Sequence, residues 1–115
     1  MVFVDNFNVS YGQMKMSHMI ADTDEELYEM IDKIGVQKKW KHNDHYDVCL
    51  SKKKLAIKNG AIEITAFEMG KINHLKKMRK HRNIKPIPLM EDLRKIRSDK
   101  NYFQTEKERI RNESS

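Results

Sequence analysis

The sequence predicts a small α+β domain, in which a mixed sheet of about three or four short strands carries three helices, followed by a helical C-terminal extension. Two observations predict the domain. Over residues 2–80, segments with the period of two typical of strands alternate with segments at helical spacing. Two capping boxes, each a Thr followed three residues later by Glu, mark helix starts. A third observation, a pair of prolines after residue 85, predicts the extension.

The chain begins with extended segments. Residues 2–4 are apolar and predict a strand that ends at Asp5, and Gly12 predicts a turn before a second extended run over residues 14–20. The opening of the domain is therefore expected to be β.

The first predicted helix has the strongest local signals in the chain. Thr23 is its expected N-cap, Glu26 completes the capping box, and Gly35 is expected to end the helix. Between these residues, apolar side chains recur at helical spacing: Leu27, Met30, Ile31 and Ile34.

The middle of the chain predicts a loop, a strand and a second helix. Residues 36–44 are polar and predict a surface loop whose Trp40 is expected to pack onto the core. Residues 46–50 alternate apolar and polar side chains, which predicts a half-buried strand with Tyr46 in the core. Ser51 is then the expected N-cap of a helix over residues 52–59, which ends at Gly60.

A short strand is predicted over residues 61–64, and the second capping box then opens a third helix that runs towards Lys80. Pro86 and Pro88 disfavour helix and set the predicted domain boundary. We therefore expect a core domain over residues 1–83 and a basic helical tail over 84–115. The apolar residues of the tail are too sparse for a core of its own, so it needs a partner surface: the same chain, a second copy or another protein.

Size and composition restrict the class of protein. The chain has 115 residues, of which 38% are apolar and 35% charged, and this suits one small domain with a large solvated surface. A single cysteine, Cys49, excludes an internal disulfide. No apolar run approaches the roughly 18 residues of a membrane span, and the N-terminus does not resemble a secretory signal. The expected location is cytoplasmic, with no membrane partner.

Charge is distributed unevenly along the chain. Residues 1–35 carry a net charge of about −5 and residues 36–115 about +11. Two basic clusters are candidate phosphate-binding or nucleic-acid-binding groups, since they could neutralise phosphates. They are Lys52, Lys53 and Lys54 in the second predicted helix, and Lys76, Lys77, Arg79, Lys80 and Arg82 in the third. The alternative interpretation is a solvated helix face.

Several short motifs in a fixed order resemble an uncharacterised family known as domain of unknown function 4031, over about residues 1–78. The motifs are the segment from Ser17 to Val36, the segment from Asp44 to Val48 with its His-Tyr-Asp run, and the segment KNGAIEI that contains Gly60 and Ala61. The resemblance implies a bacterial or phage domain, and leaves the tail after Pro86 unexplained. It implies no specific activity.

Two histidines stand at the edges of predicted strands and are candidate site residues. His18 and His45 could converge with Asp47, Asp5 or Asp22 at one end of the sheet. Imidazoles and carboxylates of this kind could bind a divalent metal, or act as general acid and base on a phosphoester. His45 and Asp47 share a face of their strand, which makes them the better pair. The alternative is structural: hydrogen bonds from the histidines to backbone, with the aspartates as caps.

Three functional hypotheses follow from these residues. The leading one is a non-catalytic module that binds nucleic acid or a nucleotide through the two basic clusters. The second is a metal-assisted phosphoester hydrolase that uses His18, His45 and Asp47, with a divalent metal as its cofactor. The third is a host-protein interaction or inhibitor module, or a homo-oligomer, formed through the C-terminal tail.

Overall fold

The computed structural model describes residues 1–6, 9–11 and 14–113, and its fold is the predicted α+β class. The turn expected at Gly12 lies outside the described residues. The strands are β1 (Val2–Asp5), β2 (Val9–Tyr11), β3 (Met14–Ala21), β4 (Tyr46–Cys49) and β5 (Ile62–Ile64). The helices are α1 (Asp24–Ile34), α2 (Leu50–Lys58), α3 (Ala66–His81), α4 (Leu89–Ser98) and α5 (Tyr102–Glu113), with a short 3₁₀ helix at Lys38–Trp40.

Strand β3 organises the sheet. It pairs antiparallel with β1, β2 and β4, whereas β1 pairs parallel with β5. In the β3–β4 ladder, His18 lies opposite Asp47 and Met19 lies opposite Tyr46. Because directly opposite residues place their side chains on the same face of a sheet, this register brings His18 and Asp47 together.

The local signals of α1 are confirmed. The Thr23 hydroxyl accepts a hydrogen bond from the Glu26 amide at 3.2 Å, and Gly35 ends the helix in the left-handed conformation at φ 77°. Side chains at helical spacing on α1 pack against strand residues in a buried core. That core consists of Val2, Val4, Met19, Ala21, Leu27, Met30, Ile31, Ile34, Tyr46, Val48, Ala56 and Ala61.

Helix α2 begins earlier than the sequence suggests. Cys49 is its N-cap residue and Leu50 its first helical residue, so the N-cap predicted at Ser51 is wrong. Strand β4 therefore leads straight into the helix. Gly60 follows the helix at φ 104°, a conformation that favours glycine. The second capping box is confirmed, since Thr65 and Glu68 each accept a hydrogen bond from the backbone amide of the other.

The chain forms two compact units, Met1–Met69 and Gly70–Ser115. The first contains the five strands with α1 and α2. In the second, α4 and α5 follow the main part of α3, and residues 82–88, around the two prolines, form neither helix nor strand. The division predicted from sequence, a core domain over 1–83 and a tail over 84–115, stays a prediction.

The second unit has a core in which the predicted tail packs on its own chain. Leu75 and Met78 of α3 are buried together with Ile110 of α5. Three partly buried side chains pack against them: Ile84, Tyr102 and Phe103. Among the described helices, none has both the length and the hydrophobicity that a membrane span needs.

A buried ionic cluster, the Arg79 network, links the three helices of the second unit. The Arg79 side chain is 2% exposed and donates hydrogen bonds to Asp92 at 2.7 and 3.1 Å and to Glu106 at 3.1 Å. The Tyr102 hydroxyl donates to Asp92 at 2.7 Å. Each carboxylate thus has a cationic donor, which a buried charge requires.

Electrostatic effects in the Arg79 network match this arrangement. The hydrogen bond from Arg109 lowers the pKa of Glu106, against the opposing effect of burial, and Arg79 lowers it further. Burial raises the pKa of Tyr102 far above its ordinary value, and the hydrogen bond to Asp92 adds to this shift. The network therefore favours an ionised Glu106 and a neutral Tyr102 phenol at neutral pH.

Removal of the cation from the Arg79 network should destabilise the protein. Arg79→Ala leaves the carboxylates of Asp92 and Glu106 without their shared partner, and we expect the free energy of unfolding to fall by about 3 to 5 kcal/mol. Denaturant unfolding followed by circular dichroism measures this. The matched control is Lys80→Ala, an exposed cation on the next residue, which should change the free energy by less than about 0.5 kcal/mol. Equal effects of the two substitutions would contradict a stabilising role for the network.

Candidate functional site

The candidate site lies where β1, β3 and β4 run side by side. His18 on β3 is directly opposite Asp47 on β4, and His45 precedes Asp47 by two residues. Side chains two residues apart in extended backbone share a face, so the register and the strand period together direct three polar groups to one place. Asp5, the last residue of β1, lies beside His18.

A tight turn before β4 adds a third imidazole. The backbones of His42 and His45 exchange two hydrogen bonds, of 2.8 and 3.0 Å, and Asn43 between them adopts the left-handed conformation at φ 56°. Asparagine tolerates this conformation better than most residues. The turn brings the rings of His42 and His45 to a centroid separation of 5.8 Å.

Three side chains, hereafter the His–Asp cluster, converge on one point: His18, His45 and Asp47. Each offers one ligand atom, and these atoms lie within 4.8 Å of one another. Oδ1 of Asp47 is 3.5 Å from Nε2 of His45 and 3.8 Å from Nε2 of His18. Adjacent ligands of a tetrahedral zinc ion, with bonds of about 2.0–2.1 Å, stand roughly 3.3 Å apart. The cluster is therefore close to the dimensions of a metal site.

Both histidines of the cluster have a carboxylate behind them. Nδ1 of His18 is 2.8 Å from Oδ2 of Asp5, a side chain that is 2% exposed. Oδ1 of Asp5 also accepts the backbone N–H of His18 at 3.1 Å. Nδ1 of His45 is 3.3 Å from Oδ1 of Asp44. In both histidines the partner of Nδ1 is therefore a side-chain carboxylate. The structural alternative expected a backbone group in its place.

This arrangement favours one tautomer of a neutral imidazole. A neutral imidazole whose Nδ1–H donates to a carboxylate has its lone pair on Nε2. In both histidines Nε2 faces Asp47, so two lone pairs and an anionic oxygen point towards each other. Such a set is repulsive unless a cation or a proton lies among the three atoms. Carboxylates that orient metal-binding histidines in the same way are usual at metal centres.

An apolar cavity of about 470 Å³ adjoins the cluster. Its lining includes Asp47, which belongs to the cluster, and His42, whose Nε2 is 3.6 Å from Oδ2 of Asp47. The rest of the lining is mostly apolar and aromatic. The complete set, hereafter the Trp40 cavity, is Met16, Val36, Trp40, His42, Asp47, Val48, Cys49 and Lys52.

A family model described as a protein of unknown function (DUF4031) matches residues 2–76. The chain belongs to this family. This confirms the resemblance seen in the sequence. The part of the chain that matches the DUF4031 model contains the whole His–Asp cluster and the Trp40 cavity. Helices α4 and α5 lie outside the match. No curated protein and no solved structure shows a significant match to the chain.

The predicted histidine site residues of this DUF4031 protein are brought together. His18, His45 and Asp47 meet as described, and Asp5 joins them through His18. Asp22 lies elsewhere, with its carboxylate 3.3 Å from the amino group of Met1. The catalytic or metal-binding role of the cluster stays a prediction.

The three lysines of α2 have different surroundings. Lys53 is buried, with Nζ 3.3 Å from a carboxylate oxygen of Glu63, and Lys52 donates from Nζ to the carbonyl of Ile34 at 2.7 Å. Only Lys54 is exposed among them. A cation at the C-terminal end of α1 is favourable, so internal partners offset the cost of lysines near the start of α2. Because Lys53 is buried, its ammonium group does not belong to an exposed phosphate-binding surface.

The basic residues of α3 are divided by the helix periodicity. Arg79 faces inward and is held by the Arg79 network, so its guanidinium does not contribute to an anion-binding surface. Lys76 is partly buried. Lys77 and Lys80 on α3 are exposed, and so is Arg82, which directly follows the helix. A linear run of cations in the sequence thus becomes a smaller exposed group.

Sequence reasoning missed three contributors to the site. His42 and Asp44 flank the cluster, and the run His-Asn-Asp-His contained a signal for them, since an Asn-Asp pair between strand-like segments favours a tight turn. Trp40 was expected in the core, and this prediction is wrong: its side chain is 60% exposed and lines the cavity. No local pattern distinguishes an aromatic residue that faces a cavity from one that faces a core.

Proposed function

We propose that this protein binds a divalent transition-metal ion at the His–Asp cluster and uses it to hydrolyse a phosphoester. One observation carries the proposal. Nε2 of His18, Nε2 of His45 and Oδ1 of Asp47 converge, and a carboxylate lies behind each imidazole. Two imidazoles and one carboxylate suit a metal such as zinc, iron or manganese better than calcium or magnesium, which prefer oxygen ligands.

Partial exposure of the cluster supports catalysis over a purely structural ion. The side chains of His18, His45 and Asp47 are 37%, 20% and 15% exposed, so solvent reaches the cluster. Three protein ligands leave at least one position for water or substrate, which is the arrangement of catalytic zinc sites, whereas structural sites are closed by four. The bound cation would supply positive charge that polarises a phosphoryl oxygen and lowers the pKa of water.

The protein groups around the cluster have distinct tasks in this reaction. Asp5 and Asp44 orient the two imidazoles through Nδ1. His42 is 61% exposed, with Nε2 3.6 Å from Asp47, and is placed to exchange a proton with solvent. In the hydrolysis, water adds to phosphorus, the P–O ester bond breaks, and the departing oxygen takes a proton. The products are a phosphate and an alcohol.

Metal binding is the first test. Calorimetric titration of the full chain with Zn²⁺ or Mn²⁺ should give one ion per chain, and His18→Ala, His45→Ala and Asp47→Ala should each abolish that binding, because each removes a ligand. Asp5→Asn should weaken it by about 10- to 100-fold, the usual effect of losing a carboxylate behind a ligand.

The matched control for metal binding is His81→Ala. His81 is an exposed histidine on α3 outside the cluster, and its loss should leave the titration unchanged. One-to-one binding that persists in all three ligand variants would place the ion elsewhere and contradict the proposal.

Turnover is the second test. The metal-loaded chain should release p-nitrophenol from p-nitrophenyl phosphate or bis(p-nitrophenyl) phosphate, and His45→Ala should lower kcat by at least about 100-fold while circular dichroism shows an unchanged fold. His81→Ala again serves as the control. A wild-type chain that is inert with Mg²⁺, Mn²⁺, Zn²⁺, Fe²⁺ and Co²⁺ alike would count against hydrolysis, although not against metal binding.

We propose nucleic-acid binding as a second candidate function. The observation that favours it is the exposed group Lys77, Lys80 and Arg82, clustered towards the C-terminal end of α3. Lys77 and Lys80 are three residues apart and therefore lie on one helix face. Three cations on phosphates give sequence-independent affinity through counterion release.

Salt dependence tests this second function. Affinity of the chain for duplex or single-stranded DNA and RNA should fall by about 40-fold between 50 and 200 mM salt for three phosphate contacts to a duplex. Replacement of Lys77 and Lys80 by Glu should abolish binding, whereas Lys58→Glu, at an exposed lysine of α2, should have a much smaller effect. Absent binding at low salt, or affinity independent of salt, would contradict it.

A further inference from the structure

The Trp40 cavity presents an exposed tryptophan on a supported segment. The Trp40 side chain is 60% exposed, and an aromatic ring of this size normally loses free energy when it remains in water. Its backbone is nevertheless held in place. Trp40 belongs to a 3₁₀ helix that begins at Lys38. The carbonyl of Lys38 accepts a hydrogen bond of 2.9 Å from the hydroxyl of the buried Tyr46. An exposed ring on a fixed support is typical of a binding surface.

The next residue fixes the other side of this segment. Nζ of Lys41 is 3.0 Å from a carboxylate oxygen of Asp24 and 3.1 Å from the hydroxyl of Tyr28, both on α1. Those hydrogen bonds raise the pKa of Lys41, against the opposing effect of its desolvation, so the ammonium stays charged. These anchors hold the backbone on both sides of Trp40, while its ring stays 60% exposed, with Nζ of Lys39 5.5 Å from the ring centroid.

The cavity and the His–Asp cluster share one residue, Asp47. Asp47 belongs to both, with Oδ1 in the cluster and Oδ2 on the side of His42, which also lines the cavity. A volume of about 470 Å³ lies within the range of pockets for small organic ligands. When the phosphate group of a ligand binds at the cluster, the rest of that ligand would extend into the apolar cavity, which the indole of Trp40 borders.

We infer that the substrate is a nucleotide, whose phosphate is bound at the His–Asp cluster and whose base stacks on Trp40 in the adjoining cavity. This inference rests on the proposed function, since it assigns the group attached to the phosphate. A base has a flat π-face that stacks on an aromatic side chain and tolerates an otherwise apolar surrounding. Lys52, which lines the cavity and uses one N–H on Ile34, has further donors for ribose or phosphate oxygens.

The test uses three ligands that divide a nucleotide into its parts. They are methylphosphonate, the phosphonate analogue of adenosine monophosphate, whose C–P bond resists this hydrolysis, and adenosine, which lacks the phosphate and should bind more weakly than that analogue. Binding to the Zn²⁺-loaded full chain is measured by calorimetry. Because Trp40 is the single tryptophan of the chain, its fluorescence reports directly on contact between the ring and a base.

We expect the nucleotide analogue to bind about tenfold or more tightly than methylphosphonate, the gain from one base–aromatic stack. It should quench Trp40 fluorescence, whereas methylphosphonate should not. Trp40→Ala should remove the gain and keep the affinity for methylphosphonate, and Trp40→Phe should keep most of the gain. Phe67→Ala, a similarly exposed aromatic at 79% that does not line the cavity, is the matched control and should change neither affinity.

Two results would overturn the inference and leave the proposed function standing. One is equal affinity for the nucleotide analogue and methylphosphonate. The other is a gain in affinity that survives in Trp40→Ala. If neither phosphonate binds the Zn²⁺-loaded chain, the phosphate site itself has failed, and the nucleotide inference falls with it.

Discussion

The candidate site depends on one constraint, the antiparallel register of β3 and β4. This register sets His18 opposite Asp47 and, through the period of two, His45 on the same face. A slip of one residue would turn Asp47 away and bring the buried Tyr46 out of the core. The hydrophobic core therefore also fixes the geometry of the polar site, because Tyr46 and Val48 can be buried only when Asp47 faces the histidines.

Burial of Asp5 gives the cluster its chemical character. A buried carboxylate needs hydrogen-bond donors, and here both come from His18, one from its backbone and one from its ring. Satisfying Asp5 uses Nδ1 of the imidazole and leaves Nε2 for the cluster. The same contact therefore satisfies the buried end of β1 and, in the proposed function, orients His18 towards the metal ion.

Predictions from sequence were accurate where the stabilising contacts join residues close together in the chain, and incomplete where they join residues far apart. Thr23, Glu26 and Gly35 define α1 through contacts within a few residues, so its ends could be predicted from local patterns. The pairing of His18 with Asp47 joins residues distant in sequence, and the period of two showed only that His45 and Asp47 share a face. The exposure of Trp40 depends on the fold around this residue, so no pattern in the neighbouring sequence predicts it.

Arg79 shows why a run of cations is a weak guide to function. In the sequence it is one of five clustered basic residues, and nothing distinguishes it from the other four. In the fold it alone of that cluster is fully buried, and it is surrounded by Asp92, Glu106 and Tyr102 from the two helices that follow the prolines. The tail after Pro86, which the family resemblance leaves unexplained, thus supplies the carboxylates that pair with the buried Arg79. Asp92 and Glu106 lie 13 and 27 residues after Arg79 in the chain, so no local pattern pairs them with it. The pairing follows only from the packing of α4 and α5 on α3, and it removes Arg79 from the basic surface that the sequence suggests.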